Sequence, residues 1–143
     1  MFVLDTNVLS AIMGAEPVPA VARWIAAQIE ALLYTTAVSK AEILAGVGVL
    51  PEGRRRRTLE VAANAIFANG FEGRVLPFDE TAAELYAELF AARKRAGKPT
   101  STTDLMIASV ARARGAVMVT RDIGGFEDCG LRLINPWDVK RPV

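Results

Sequence analysis

Four acidic residues stand where a carboxylate can reach a metal ion or a proton. Asp5 follows the apolar triplet Phe2, Val3 and Leu4; Glu42 comes three residues after Ser39; Asp104 closes the hydroxyl run Ser101, Thr102 and Thr103; and Asp122 comes shortly after the apolar run 116–119. Taken singly, such acids also fit helix caps and turns, because short polar side chains satisfy the free N–H groups at a helix start. Ser39, Lys40, Ala41 and Glu42 match the capping box, in which the residue three after the cap reaches back to the cap's own N–H. Gathered at one place they pose a different problem. Two carboxylates about 4 Å apart repel by about 4 kcal/mol at an effective dielectric of about 20, in a domain whose total stability is about 5–15 kcal/mol. Protonation, arginine pairing or divalent cations would have to neutralise them.

The rest of the composition narrows the chemistry. The chain has no histidine and one cysteine, Cys129. Histidine triads, imidazole metal sites, thiolate zinc sites and internal disulfides are thereby excluded. Oxygen ligands alone favour Mg²⁺ or Mn²⁺. A metal pair held by carboxylates can activate water and steady the leaving oxygen in an in-line phosphodiester displacement, which needs no histidine. Thr6, Asn7, Ser39 and Thr120 are neutral neighbours suited to orient the acids or hold metal-bound waters, although any one of them taken alone fits turn capping better. A net charge of +1, from 17 Lys and Arg against 16 Asp and Glu, gives no global signature of a nucleic-acid binder. Basic side chains do cluster locally, at Arg54, Arg55, Arg56 and Arg57 and again at Arg93, Lys94, Arg95 and Lys98. Solvated helix faces account for such runs as well.

These residues need elements to hold them. The pattern predicts strands over 2–4, 32–38, 74–78, 116–119 and 131–134. It predicts helices over 19–30, from Ser39 past Val47, over 54–68, over 80–96 with Asp79 as its cap, and from Asp104 to a stop at Gly115. Residues 6–13 read as a mixed segment ending at Gly14. Strands that are continuous apolar runs, alternating with helices, indicate an α/β fold: one domain over 1–143, with a central parallel sheet covered by helices on both faces. In such sheets ligands bind beyond the carboxyl ends of the strands, where strand order reverses. Asp5, Glu42 and Asp122 should share that edge; whether the helix begun by Asp104 starts there is left open. The longest uncharged runs, 6–15 and 31–39, are too short to span a membrane. Nothing at the start reads as a signal peptide, and the expected compartment is the cytoplasm.

Four motifs carry a resemblance to a known family: LDTNVL from Leu4, SKAEILAG from Ser39, TTDLMIASVA from Thr102, and TRDIGGF from Thr120 with the closing NPW from Asn135. Their order and spacing resemble the PIN domain, in particular the VapC and FitB type of toxin nuclease, over nearly the whole chain. The resemblance implies a Mg²⁺- or Mn²⁺-dependent endoribonuclease, the toxin of a toxin–antitoxin pair. Its metal-binding and catalytic acids would be Asp5, Glu42, Asp104 and Asp122, with Thr6, Asn7, Ser39 and Thr120 at supporting positions. It also implies a homodimer and a small VapB- or FitA-like antitoxin whose tail blocks the acidic cleft. RNA would approach along a basic rim drawn from residues 54–57 or from Arg112 and Arg114. Asp128 is not assigned. Two other readings stay open: a PIN nuclease acting on DNA or in RNA processing outside such a pair, and a non-catalytic module receiving a basic partner tail. A phosphoacceptor signalling domain fits poorly. It wants adjacent acids after the first strand and a lysine after a late one, where this chain has Asp5-Thr6-Asn7 and Arg121-Asp122.

Overall fold

The computed structural model describes residues 1–99 and 101–139. Five short strands, β1 (Phe2–Leu4), β2 (Leu33–Thr36), β3 (Val75–Leu76), β4 (Val117–Val119) and β5 (Leu133–Ile134), form one sheet in the order β3-β2-β1-β4-β5. Every pairing is parallel, with Phe2 in register with Leu33 on one side and Val117 on the other. Among the described residues six α-helices complete the fold: α1 (Thr6–Met13), α2 (Pro19–Ala26), α3 (Ala37–Gly48), α4 (Arg54–Ala65), α5 (Glu80–Arg95) and α6 (Thr102–Ala113).

Alternation along each strand feeds two cores. Val3 and Met118 pack on one face with Leu89 of α5 and Leu105 and Ile107 of α6. Leu4 and Val119 pack on the other with Leu9 of α1, Val21 of α2 and Ala63 of α4. Both faces of the sheet are therefore covered, and strands buried on both sides read as unbroken apolar runs. Each fully buried Val or Leu contributes about 1.5–3 kcal/mol. The expected α/β/α sandwich is what forms.

Several elements differ from the sequence reading. Residues 6–13 are the helix α1, because Asp5 caps it. The Asp5 side chain accepts the Thr6 N–H at 2.8 Å, and its carbonyl accepts from Val8 and Leu9 at 3.0 and 3.3 Å. The helix expected over 19–30 stops at Ala26. Gln28 turns its side-chain amide onto the Trp24 carbonyl at 3.0 Å, while its own N–H tightens onto Ile25, and a separate 3₁₀ turn follows at Glu30–Leu32. Beyond Ala65, α4 widens into a π turn, Ile66–Gly70, closed by the Phe71 N–H on the Ile66 carbonyl at 2.8 Å.

The capping-box reading of Ser39 and Glu42 is also corrected. Thr36 is the cap of α3, its Oγ1 accepting the Ser39 N–H at 3.0 Å, so the helix starts two residues before Ser39. A polar side chain at the end of β2 takes the free amide first. Glu42 lies in the second turn, out of reach of any capping role, and its carboxylate is directed elsewhere. Asp79 does cap α5 as expected, accepting the Ala82 N–H at 3.0 Å.

Strand order reverses between β1 and β4, since β2 and β3 extend from one side of β1 while β4 and β5 extend from the other. That is where a crevice opens at the carboxyl ends of a parallel sheet.

Candidate active site

Asp5 is the first residue beyond β1, and its backbone N–H donates to the Val119 carbonyl of β4 at 2.9 Å. The acid is thus pinned at the point where these two strands part. Beside it, Thr35 Oγ1 donates to the Leu4 carbonyl at 3.0 Å, which ties β2 into the same edge. Asp5 is only 3% exposed. Its Oδ2 accepts the Thr120 hydroxyl at 2.8 Å. Thr120 Oγ1 in turn accepts from the Asn7 amide at 3.4 Å and from the Asp122 N–H at 3.1 Å. One fully buried hydroxyl therefore joins the ends of β1 and β4, and Asn7 Oδ1 adds a link to the Arg121 N–H at 3.3 Å.

Glu42 reaches the same edge from α3. Its Oε1 accepts from Thr6 Oγ1 at 2.8 Å and its Oε2 from Thr103 Oγ1 at 3.2 Å. Ser39 Oγ, fully buried, lies 3.0 Å from the same Thr6 hydroxyl. Thr103 is the residue before Asp104, so this contact brings the start of α6 to the end of β1. The helix that carries Asp104 thus begins at the carboxyl edge of the sheet, capped by Ser101 Oγ on the Asp104 N–H at 3.4 Å.

Asp122 is exposed, on a loop anchored by the buried Phe126, and its Oδ1 accepts the Gly125 N–H at 3.1 Å. Gly125 is a residue the motif reading quoted without assigning it a role. A Cβ there would stand 2.9 Å from the Asp122 carboxyl carbon. A side chain there would push the Asp122 carboxylate away from the Gly125 N–H. A Gly-Gly pair following an acid by two residues was the available signal.

The electrostatics register the crowding. Burial pushes the Asp5 carboxyl up from its ordinary 3.8 to about 6. The hydrogen bonds from Thr120 and Thr6 oppose the rise, and the charges of Asp104 and Glu42 add to it. Asp104 is also raised, first by burial and then by the charges of Glu42 and Asp122. Each of these acids thus costs more to ionise because the others are near.

Asp104 borders two cavities. One, of about 550 Å³, runs from Asp104 and Asp122 to Arg93 and Lys98. The other, of about 560 Å³, holds Asp5, Glu42 and Asp104 with Asn7, Arg121 and Trp137. Asp128 is on the outer wall of the first, paired with Lys98. Of the expected basic rim, Arg55 borders a third cavity beside Glu42, Arg56 pairs with Glu60 at 2.9 Å, and Arg112 lies against Gly130. Among the described residues no three His, Cys, Asp or Glu side chains form a ready-made metal cage, and no helix is long and apolar enough to cross a membrane.

Comparison with known proteins decides the family. The PIN domain profile matches residues 2–129. The chain belongs to the PIN domain family. Two curated relatives with which this PIN domain aligns are the VapC ribonuclease Y4jK of Sinorhizobium fredii, 43% identical over 96% of this chain and 99% of that protein, and the toxin FitB of Neisseria gonorrhoeae, 34% identical over the same shares. Among solved structures, FitAB bound to an IR36 DNA fragment superposes with a TM-score of 0.89 at 33% identity, covering 99% of both chains.

Proposed function

We propose that this PIN domain is a Mg²⁺- or Mn²⁺-dependent endoribonuclease and the toxin of a toxin–antitoxin pair, hydrolysing RNA phosphodiesters at Asp5, Glu42, Asp104 and Asp122. The observation that carries the reading is the convergence of Asp5, Glu42 and Asp104, from three separate elements, on one cavity at the strand-order reversal, with Asp122 sharing Asp104 across the neighbouring cavity. The names of the relatives support the substrate class and the toxin role. A VapB- or FitA-like antitoxin and a homodimeric toxin belong to the same reading.

The donor set suits a hard cation. All the candidate ligands are oxygens, and two of the four acids are held in a state where added positive charge relieves strain. The lack of a closed cage is compatible with Mg²⁺, which keeps several waters and takes one or two carboxylates plus substrate phosphate oxygens. Once bound, a divalent ion would supply Lewis acidity at the phosphodiester and orient the attacking water. The chain's own residues do the positioning. The Thr120 and Thr6 contacts favour the ionised form of Asp5 against its burial. Thr6 and Thr103 hold the two oxygens of Glu42, and the Gly125 N–H fixes one oxygen of Asp122.

RNA cleavage by the wild type and by Asp5→Asn, each with Mg²⁺, with Mn²⁺ and with chelator, tests the reading. The wild type should cut only with metal, and the variant should be at least about 100-fold slower. Equal activity under all conditions would rule the mechanism out. A DNA substrate in the same assay separates the alternative of a DNA nuclease, and co-purification with the product of a short neighbouring gene tests the antitoxin.

A further inference from the structure

Trp137 and Arg121 have no part in the chemistry above, yet both border the cavity that holds Asp5, Glu42 and Asp104. The Arg121 guanidinium lies over the indole of Trp137, its carbon 5.1 Å from the ring centroid, within cation–π range. Two separate anchors hold the pair. The Trp137 N–H donates to Asn135 Oδ1 at 3.0 Å, while Asn135 Nδ2 donates to Asp138 at 3.0 Å, which sets the closing turn. Arg121 is tied through its N–H to Asn7, and Asn7 leads through Thr120 to Asp5 in a continuous run of hydrogen bonds. The backbone of Arg121 is therefore tied to the acid end of the cavity. Trp137 is half-buried against the core beneath α1 and α2, whereas Arg121 is exposed. Three acids and one guanidinium line this cavity. Within this cavity the guanidinium is the protein's own charge that offsets the carboxylates for an approaching anionic strand.

We propose that the Arg121–Trp137 stack is a nucleobase platform, receiving an unpaired base of RNA next to the phosphate held at the acids. The proposal rests on the nuclease reading for the identity of the strand. Bases of single-stranded RNA stack on aromatic rings and on arginine planes. A stacked guanidinium keeps its in-plane N–H groups free for the adjoining phosphate. Such a platform selects single-stranded over duplex substrate, because a paired base is already stacked within its helix.

The test separates planar stacking from mere positive charge. Arg121→Lys keeps the charge and loses the plane, Trp137→Ala loses the ring, and Trp137→Phe keeps a smaller one. With melting temperature as the folding control, Arg121→Lys and Trp137→Ala should raise KM for single-stranded RNA roughly 10-fold or more at nearly unchanged kcat, and Trp137→Phe should recover most of the loss. Because Arg121 is exposed, its variant reports even if the tryptophan variant fails to fold. A second readout needs no cleavage. In a Trp24→Phe background, which leaves Trp137 as the lone tryptophan, a short single-stranded RNA added with Ca²⁺ should quench the fluorescence saturably, and the matching duplex should not. Unchanged KM in Arg121→Lys, or unquenched fluorescence, would overturn the platform while cleavage by the wild type leaves the nuclease reading standing. Quenching without any cleavage would do the reverse.

Discussion

Replacing Asp5 by Asn should make the metal-free protein more stable, and bound metal should narrow that lead. In the folded chain the Asp5 carboxyl titrates near 6 against an ordinary 3.8. Its folded value lies above its unfolded one, so the native state holds the proton longer. The stability from this group is fully present below 3.8 and is lost as pH rises to about 6. At 1.36 kcal/mol per unit, that loss is about 3 kcal/mol at pH 7.5. Asn is neutral throughout. Its carbonyl can still accept from the Thr6 N–H, and its amide can donate to Thr120 Oγ1 once that hydroxyl turns away and the long Asn7 contact gives way. The variant should therefore recover about 1–3 kcal/mol in chelator at pH 7.5. For a chain of this size that corresponds to a rise of roughly 3–9 °C in Tm. The advantage should shrink towards pH 4, where the wild-type acid is protonated too. Mg²⁺ at ten times its Kd should raise the wild type by about 1.4 kcal/mol and the variant by little. Thermal melts at pH 7.5 and pH 4, with and without metal, check all four corners. A variant no more stable than the wild type in chelator at pH 7.5, or an equal metal effect on both, would refute the reasoning.

Three further outcomes follow from the same geometry. Gly125→Ala should fold with Tm nearly unchanged yet lose RNA cleavage at least about 10-fold, because the new Cβ displaces the Asp122 carboxylate; melts paired with kinetics check it. Thr120→Val should cost about 1–3 kcal/mol by removing a fully buried hydroxyl with three partners. Because that hydroxyl lowers the Asp5 pKa, the acid limb of the pH–activity profile should also move to higher pH. Arg74→Met should lower stability by about 2 kcal/mol without changing cleavage per folded molecule. Its guanidinium donates to the Glu30, Leu33 and Gly70 carbonyls, and it precedes β3, at the end of the sheet away from the acids; urea denaturation with active-fraction kinetics would show both.

The acids that follow strands were legible in the sequence because their placement is a one-dimensional fact. A continuous apolar run that ends on Asp5 or shortly before Asp122 gives both the strand and the edge it faces. Glu42 was harder. The capping-box pattern at Ser39 was real as a pattern, but helix starts compete locally, and Thr36, three residues earlier, takes the Ser39 amide. Asp104 could not be placed because α5 and α6 both lie between β3 and β4, so alternation alone does not give the direction of the second helix. The Thr103–Glu42 contact, 61 residues apart in sequence, settles it. The helix α1 went unread because its cap is the very aspartate that invites a metal reading. Asp5 does cap Thr6 with one oxygen while the other accepts from Thr120, so capping does not exclude the proposed metal-binding role. The Arg121–Trp137 stack joins residues 16 apart across β5, which no periodicity reports.

The central claim is that Asp5, Glu42, Asp104 and Asp122 hold divalent metal. The most direct measurement is the anomalous scattering of Mn²⁺ in crystals of this protein soaked in that ion. The claim predicts an anomalous peak in the cavity bordered by Asp5, Glu42 and Asp104, with carboxylate oxygens at about 2.0–2.3 Å. The peak should be absent from Asp5→Asn crystals. A wild-type crystal with the four carboxylates pointing apart and no peak among them, at Mn²⁺ concentrations that support cleavage, would contradict it.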